Sequence, residues 1–301
     1  MGHSHGHGHS HGIASDADRG KLWLALGLLV GFMAFEVAAG IIAESLALLS
    51  DAAHMLTDAA AIVLALIAMR LAQRPAKGAM TFGLKRSEIL AAAINGTTLL
   101  VLALLITVEG VRRLIDPPPT EGGIVLVVAL IGVAVNLVAT WTLRRANRQS
   151  LNIEGAYQHL LTDLAAFVFT AIAGAVVLAT GFHRADGIAS LVVAGIMYWS
   201  AYGLLRASGR IFLEAAPEGM DPDEIGRAMV GTAGIEEVHD LHVWEVTSGF
   251  PSLSAHVLVA SEADCHAARE VVERMLHDRF HITHTTLQVD HLGGRLLEIE
   301  T

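Results

Sequence analysis

The sequence predicts an α-helical membrane protein, with six transmembrane helices followed by a small α/β domain. Three observations carry this prediction. Hydrophobic residues make up 53% of the 301. Six apolar segments, at about 21–43, 46–70, 87–111, 122–144, 153–180 and 186–207, each approach the ~20 residues with which a helix crosses ~30 Å of hydrocarbon. Beyond residue 210 these long runs stop, and short alternating and amphipathic stretches replace them. The chain accordingly divides into a polar tail (1–20), a six-helix transmembrane domain (21–210) and a terminal domain (211–301).

Charge divides along the same line. Residues 1–210 hold 15 Lys and Arg against 13 Asp and Glu, whereas residues 211–301 hold 5 against 17. The net charge of −10 therefore belongs to the last third. That polarity argues against nucleic acid as a partner, since domains that bind it are basic, and it suits a domain that meets cations. Cys265 is the only cysteine, which excludes an internal disulfide framework and a cysteine-rich metal site. A polar N-terminus followed by a full-length apolar run predicts no cleavable signal peptide.

In chain order, the tail MGHSHGHGHSHG alternates five histidines with Gly and Ser. It cannot build a core, and imidazoles at this density bind Zn²⁺, Ni²⁺ or Cu²⁺. It reads as a native metal-collecting segment; the alternative is an expression tag, although tags are usually uninterrupted histidines. The loops then set orientation. Arg19, Lys21, Arg70, Arg74, Lys77, Lys85, Arg86, Arg144, Arg145, Arg148, Arg206 and Arg210 fall on one side, and only Arg112, Arg113 and Arg184 on the other. Twelve against three places both termini in the cytoplasm by the positive-inside rule.

The second span organises the rest. It is apolar throughout, yet it carries Asp51, His54 and Asp58. A charged side chain at membrane depth costs about 2.5–3.5 kcal/mol on insertion scales and is rarely left there unused. His54 and Asp58 stand four residues apart, on one helical face. The pattern recurs as His159 and Asp163 in the fifth span. At 1.5 Å per residue, Asp58 lies about 18 Å and His54 about 12 Å from the outer surface, with Asp163 about 15 Å and His159 about 9 Å from the inner one. Both pairs thus fall around the middle of a ~30 Å core. Two nitrogens and two carboxylate oxygens are what four-coordinate Zn²⁺ accepts. For a single such histidine, a buried imidazole bonded to a backbone carbonyl would serve equally well; two matched pairs favour a metal site.

Other polar groups within the spans have structural readings. Asn95 and Asn136 suit helix–helix hydrogen bonds; Glu109 suits a local pair with Arg112 and Arg113; Asp186 suits the N-cap of the sixth span. Glu36 also lies within a span. Asp51 shares the face of His54 and Asp58, and either guides an ion outward or caps its helix. Abundant Gly and Ala predict close helix packing that permits rocking. No glycine-rich phosphate loop occurs, so ATP is not expected to act here.

In the terminal domain, DPDEIGRAMVGTAG reads as a helix with an acidic first turn, VHDLHVWEV and SLSAHVLVA as alternating strands, ADCHAAREVVERMLHDRF as an amphipathic helix and THTTLQVDH as a third strand. An α-β-β-α-β order gives an open sheet with helices on one face.

Together, LLSDAAHMLTDAAA, GAYQHLLTDLAA, six spans, the His-rich tail and an acidic VHDLHVW domain resemble the cation diffusion facilitator family over essentially the whole chain. The resemblance implies a homodimer in a bacterial inner membrane that exports Zn²⁺, often Cd²⁺ too, in exchange for protons. It implies a transport site of His54, Asp58, His159 and Asp163; histidine at 54 resembles the branch selective for zinc and cadmium. It also implies a metallochaperone-like cytoplasmic domain in which His239, His256 and Asp290 match positions that bind regulatory zinc in some members. Gln288 stands where some members have a further histidine, with His242 and His291 as possible substitutes; His266, His277, His281 and His284 read as solvated surface. The loop Arg74-PAKGAM is basic and lacks ligands, so the second site that several relatives carry there is not expected.

Coordination chemistry supplies the expected mechanism. Zn²⁺ needs neutral imidazole and ionised carboxylate, so loading releases protons and protonation releases metal. Enzyme chemistry is not expected: four ligands leave no catalytic water position, and no His-Glu-x-x-His motif occurs. The remaining alternatives are an intramembrane metalloenzyme and a membrane-anchored metal sensor in which the spans only hold the acidic domain.

Overall fold

The computed structural model describes residues 16–42, 46–117, 122–146 and 150–292; at residues 16, 17, 36, 39–42, 46–54, 57 and 124 it describes the backbone alone. The His-rich tail and the side chains of Glu36, Asp51 and His54 therefore lie outside the described residues. The rest divides into two compact units that part between Gly209 and Arg210.

In an apolar medium a backbone amide must find its partner within its own segment, so proline-free runs of Leu, Ala, Val and Ile stay helical throughout. Six long helices result: α1 (Asp16–Ile42), α2 (Leu46–Ala72), α3 (Ser87–Ile115), α4 (Gly122–Arg144), α5 (Leu151–Thr180) and α6 (Arg184–Phe212). Among the described residues, four stretches are long and apolar enough to cross a membrane: Ser87–Ile115, Val125–Arg144, Leu151–Thr180 and Arg184–Phe212. α1 and α2 have 27 residues each. The chain is a multi-pass helical membrane protein.

Packing within this unit centres on α2 and α5. Leu22, Leu29 and Phe32 of α1 meet Met55, Ile62 and Met69 of α2, Leu143 of α4, and Ile153 and Leu160 of α5 in one core. A second core joins Leu99 and Ala103 of α3 to Val193, Met197 and Leu204 of α6. The closest approach is between α4 and α5. A Cβ added at Gly122 would stand 2.7 Å from the Leu178 nitrogen and 2.8 Å from the Gly174 oxygen, and one at Gly132 would strike the Phe167 ring. The small residues expected to allow close packing are thus in direct backbone contact.

Two sequence expectations are revised here. α6 begins at Arg184, so Asp186 lies inside its first turn; instead of capping, its carboxylate accepts from Arg113 Nη1 at 2.5 Å and ties α6 to α3. Asn136 turns back on its own helix, donating to the Gly132 carbonyl at 3.2 Å, the local bond open to a polar side chain within an apolar helix. Glu109 pairs with Arg113 at 3.0 Å and Arg112 at 3.5 Å, as its spacing predicts.

The second unit is a small α/β fold: α7 (Pro222–Val230), β1 (Ile235–Glu245), β2 (Pro251–Val259), α8 (Cys265–Phe280) and β3 (His284–His291). Both helices start on aspartate caps. Asp221 accepts from the Asp223 amide, and Asp264 from those of His266 and Ala267, bonds that hold the Asp264 carboxyl below its ordinary range. β1 and β2 pair antiparallel, β2 and β3 parallel, in the order β1-β2-β3. Alternation sends Leu253, Ala255, Val257 and Val259 of β2 against Ile225 and Met229 of α7 and Val272 and Leu276 of α8. His256 is thereby placed on the other face of the sheet.

Two outcomes follow. Gly174→Val drives a branched side chain into α4 and lowers the stability of the detergent-solubilised protein by about 1–3 kcal/mol, whereas Gly27→Ala, mid-helix with nothing within 4 Å, does not lower it and raises it by up to about 1 kcal/mol; thermal unfolding measures both. In the β1–β2 turn, Glu245 accepts from the Gly249 amide, and burial pushes its carboxyl above the ordinary range. A raised folded value means the protonated form favours folding: that contribution is complete below the ordinary range and is lost as pH rises through the raised value. Glu245→Gln therefore raises the melting temperature of this unit at neutral pH, with the gain vanishing in acid.

Candidate metal centre

The site is assembled by the register of two helices. Asn152, in the first turn of α5, donates from Nδ2 to the Ala65 carbonyl of α2 at 2.8 Å. Seven residues before Ala65 stands Asp58, and seven after Asn152 stands His159. The two pairs share one antiparallel register, so the Asn152 bond fixes the level at which the side chains deeper in the unit meet, about 10.5 Å away along the axis.

At that level His159 Nε2 lies 2.8 Å from Asp58 Oδ1 and 3.9 Å from Asp163 Oδ2. Asp58, His159 and Asp163 each offer a ligand atom within 4.8 Å of the others, and they are 3%, 1% and 6% exposed. Two ligand atoms bound at ~2.0 Å in tetrahedral geometry stand ~3.3 Å apart, so small side-chain movements suffice to close the group on one ion. With a proton on Nε2 the imidazole donates to Asp58; the neutral tautomer protonated on Nδ1 instead presents its Nε2 lone pair to a metal. The Nδ1 atom has no hydrogen-bond partner. Met55, Ala59, Ile62 and Leu160 belong to the buried core around these residues and exclude water from it. Two carboxylates in such a place need a cation, because burying each uncompensated charge costs several kcal/mol.

The structure thus brings together three of the four residues expected to form this centre. His54 belongs to α2 one turn before Asp58, but its side chain lies outside the described residues. Among the described residues, this is the one group of three or more ligand side chains so closely placed.

In the second unit, the cross-strand register puts His239 opposite His256 and His256 opposite Gln288, with Asp290 one pleat further on, opposite Leu258. The two imidazoles lie 5.3 Å apart between ring centres. Asp290 accepts from Gln288 Nε2 at 2.8 Å. Asp240, at a bulge with φ 52°, lies 3.0 Å from His242 and 3.8 Å from His256. His291 turns instead toward Cys265 and the Ala263 carbonyl.

Comparison with known proteins gives two family matches. The family described as "Cation efflux transmembrane domain" matches residues 22–213, and "Cation efflux protein, cytoplasmic domain" matches residues 217–292. The chain belongs to the cation efflux, or cation diffusion facilitator, family. It is 36% identical over 294 residues to the "Cadmium, cobalt and zinc/H(+)-K(+) antiporter" of Bacillus subtilis, covering 96% of this chain and 92% of that protein. It is 37% identical over 293 residues to the "Zinc transporter ZitB" of Escherichia coli, covering 97% and 93%. The solved "Metal-bound C-terminal domain of the CzcD transporter from Cuprividus metallidurans" is 35% identical over 24% of this chain and 99% of that one, with a TM-score of 0.23.

Sequence reading missed Asn152 and Asp240. The signal for Asn152 was its place two turns before His159, where it looked like a polar residue just outside the span. For Asp240 no signal existed, since a bulge is not written in the alternation.

Ligation, as distinct from packing, is tested by charge removal without loss of shape. Asp58→Asn and Asp163→Asn retain a hydrogen-bonding oxygen but forfeit the charge. A ligand at 100-fold over its dissociation constant stabilises by about 2.7 kcal/mol. In protein lacking residues 1–12, zinc raises the melting temperature of the wild type by more than it raises that of either variant.

Proposed function

We propose that this chain exports Zn²⁺, and Cd²⁺ with it, from the cytoplasm in exchange for protons, by alternating access around His54, Asp58, His159 and Asp163. One observation carries the reading: a buried Asp–His–Asp group, on two facing helices and remote from solvent, in a protein whose relatives are named as cation antiporters and zinc transporters.

Six helices cross a bacterial inner membrane, with both termini in the cytoplasm. With the site open inward at near-neutral pH, imidazole is neutral and the carboxylates are ionised, so the divalent ion is favoured. When the helices rock outward, protons from the more acidic side occupy the same lone pairs and displace it. Metal and proton compete for one set of atoms, and that competition is the exchange. Nitrogen in the ligand set favours Zn²⁺ and Cd²⁺ over Mn²⁺, which suits all-oxygen octahedral sites. The chain works as a transporter without catalysing a reaction. Residues 211–301 form its homodimer, and zinc held near His239, His256 and Asp290 offsets the repulsion between two acidic domains.

In proteoliposomes carrying an outward proton supply, the wild type moves zinc and Asp163→Ala reduces the flux to the level of empty vesicles while still inserting and dimerising. Flux near the wild-type rate in Asp163→Ala would remove the centre from the transport route. A wild type that binds zinc and moves none would instead be a sensor.

A further inference from the structure

Glu88 has no part in the centre described above, yet it is 0% exposed and neither of its carboxylate oxygens has a hydrogen-bond partner. It stands in the first turn of α3. The Ser150 hydroxyl faces it, and this hydroxyl, at the N-cap of α5, caps nothing and is itself unpartnered and 0% exposed. Two residues further on, in α5, Asn152 uses its amide nitrogen on Ala65 and leaves Oδ1 unmatched, also at 0% exposure. The two elements dock on the same part of α2: Ser87 donates to the Ala68 carbonyl at 2.9 Å, one turn from Ala65. A carboxylate and a hydroxyl that face each other, and an amide oxygen two residues along, are therefore buried where α3 and α5 dock near the end of α2, with no other protein group bonded to them.

Each unmatched buried polar group costs about 1–3 kcal/mol, and a charged one more, so three of them buried at one helix junction are expected to hold something. All the free atoms here are oxygen acceptors, apart from the rotatable hydroxyl, and the set carries one formal negative charge. A single carboxylate with neutral oxygens holds a divalent ion that keeps part of its hydration shell, and holds it loosely. The position completes the picture. Asn152 and His159 stand seven residues apart on α5, and between them Asn95 Nδ2, unpartnered, lies against Gly155, where an added Cβ would meet it at 3.5 Å. His159 Nδ1 is the next unmatched atom along. A line of unsatisfied polar atoms thus runs along the α3–α5 contact from Glu88 to the centre.

We propose that Glu88, with Ser150 and Asn152, forms a second cation subsite, an all-oxygen entry station at which the divalent ion pauses before it reaches Asp58, His159 and Asp163. The proposal rests on the reading that divalent ions are carried. An oxygen station accepts hard ions that the nitrogen-containing centre rejects, so Mg²⁺ competes at the station alone.

The test is zinc flux in proteoliposomes, measured against zinc concentration, with and without millimolar Mg²⁺ on the side of supply and ionic strength held constant with choline chloride. In the wild type Mg²⁺ raises the KM for zinc. Glu88→Gln keeps the shape and removes the charge; its KM is about five-fold to ten-fold higher, its maximal rate falls less than two-fold, and Mg²⁺ has no further effect. Glu88→Asp retains Mg²⁺ sensitivity, and Ser150→Ala raises KM by about two-fold. An unchanged KM in Glu88→Gln, persistent Mg²⁺ competition there, or a lost maximal rate at unchanged KM overturns the station. A wild type that moves no zinc overturns the transport reading itself and is seen before any variant is compared.

Discussion

Everything in the helical unit answers to one electrostatic constraint: Asp58 and Asp163 are held against a single imidazole where almost no water reaches them. Two buried carboxylates repel each other and lose their hydration, and the side chains of Met55, Ile62 and Leu160 in the surrounding core are apolar. Such a group is tolerable only if its positive partner is exchangeable. A permanent one, such as an arginine, would close the site for good. The arrangement therefore favours an occupant that comes and goes, and both protons and divalent ions qualify.

The rest of the unit keeps the ligands at one level. Asn152 locks α5 to α2, while backbone contact at Gly122 and Gly174 locks α5 to α4. The Arg113–Asp186 pair joins α3 to α6 away from the site. α5 is thus gripped on two sides, and the close packing that the small residues predict is found both there and between α3 and α6, at Gly110 and Gly187.

Much of this was legible in the sequence because membrane and metal both impose coarse rules. Apolar runs of about 20 residues show as helices, and His159 and Asp163 four residues apart must share a face. The terminal unit followed from simple period changes, and its α-β-β-α-β order is the one observed. What was hidden depended on partners distant in the chain. Nothing local shows that Asp186 would find Arg113, 73 residues away, in preference to capping its own helix. The register bond of Asn152 spans 87 residues and is equally invisible. Asp240 escaped notice because a bulge in β1 turns it toward His242 and His256, against the strand's period.

The spacing of Asn152 and His159 also sets how the centre can open. Seven residues make just under two helical turns, so the two side chains leave α5 within about 20° of each other. Any roll of α5 large enough to swing the imidazole away from Asp58 must also pull the amide from Ala65. The latch and the ligand are thus a single moving part. One neutral hydrogen bond is worth about 0.5–1.5 kcal/mol, a few multiples of thermal energy at most. By itself this contact is weak enough to part within the transport cycle proposed above, and the grip of α4 on α5 then decides how far the helix can roll.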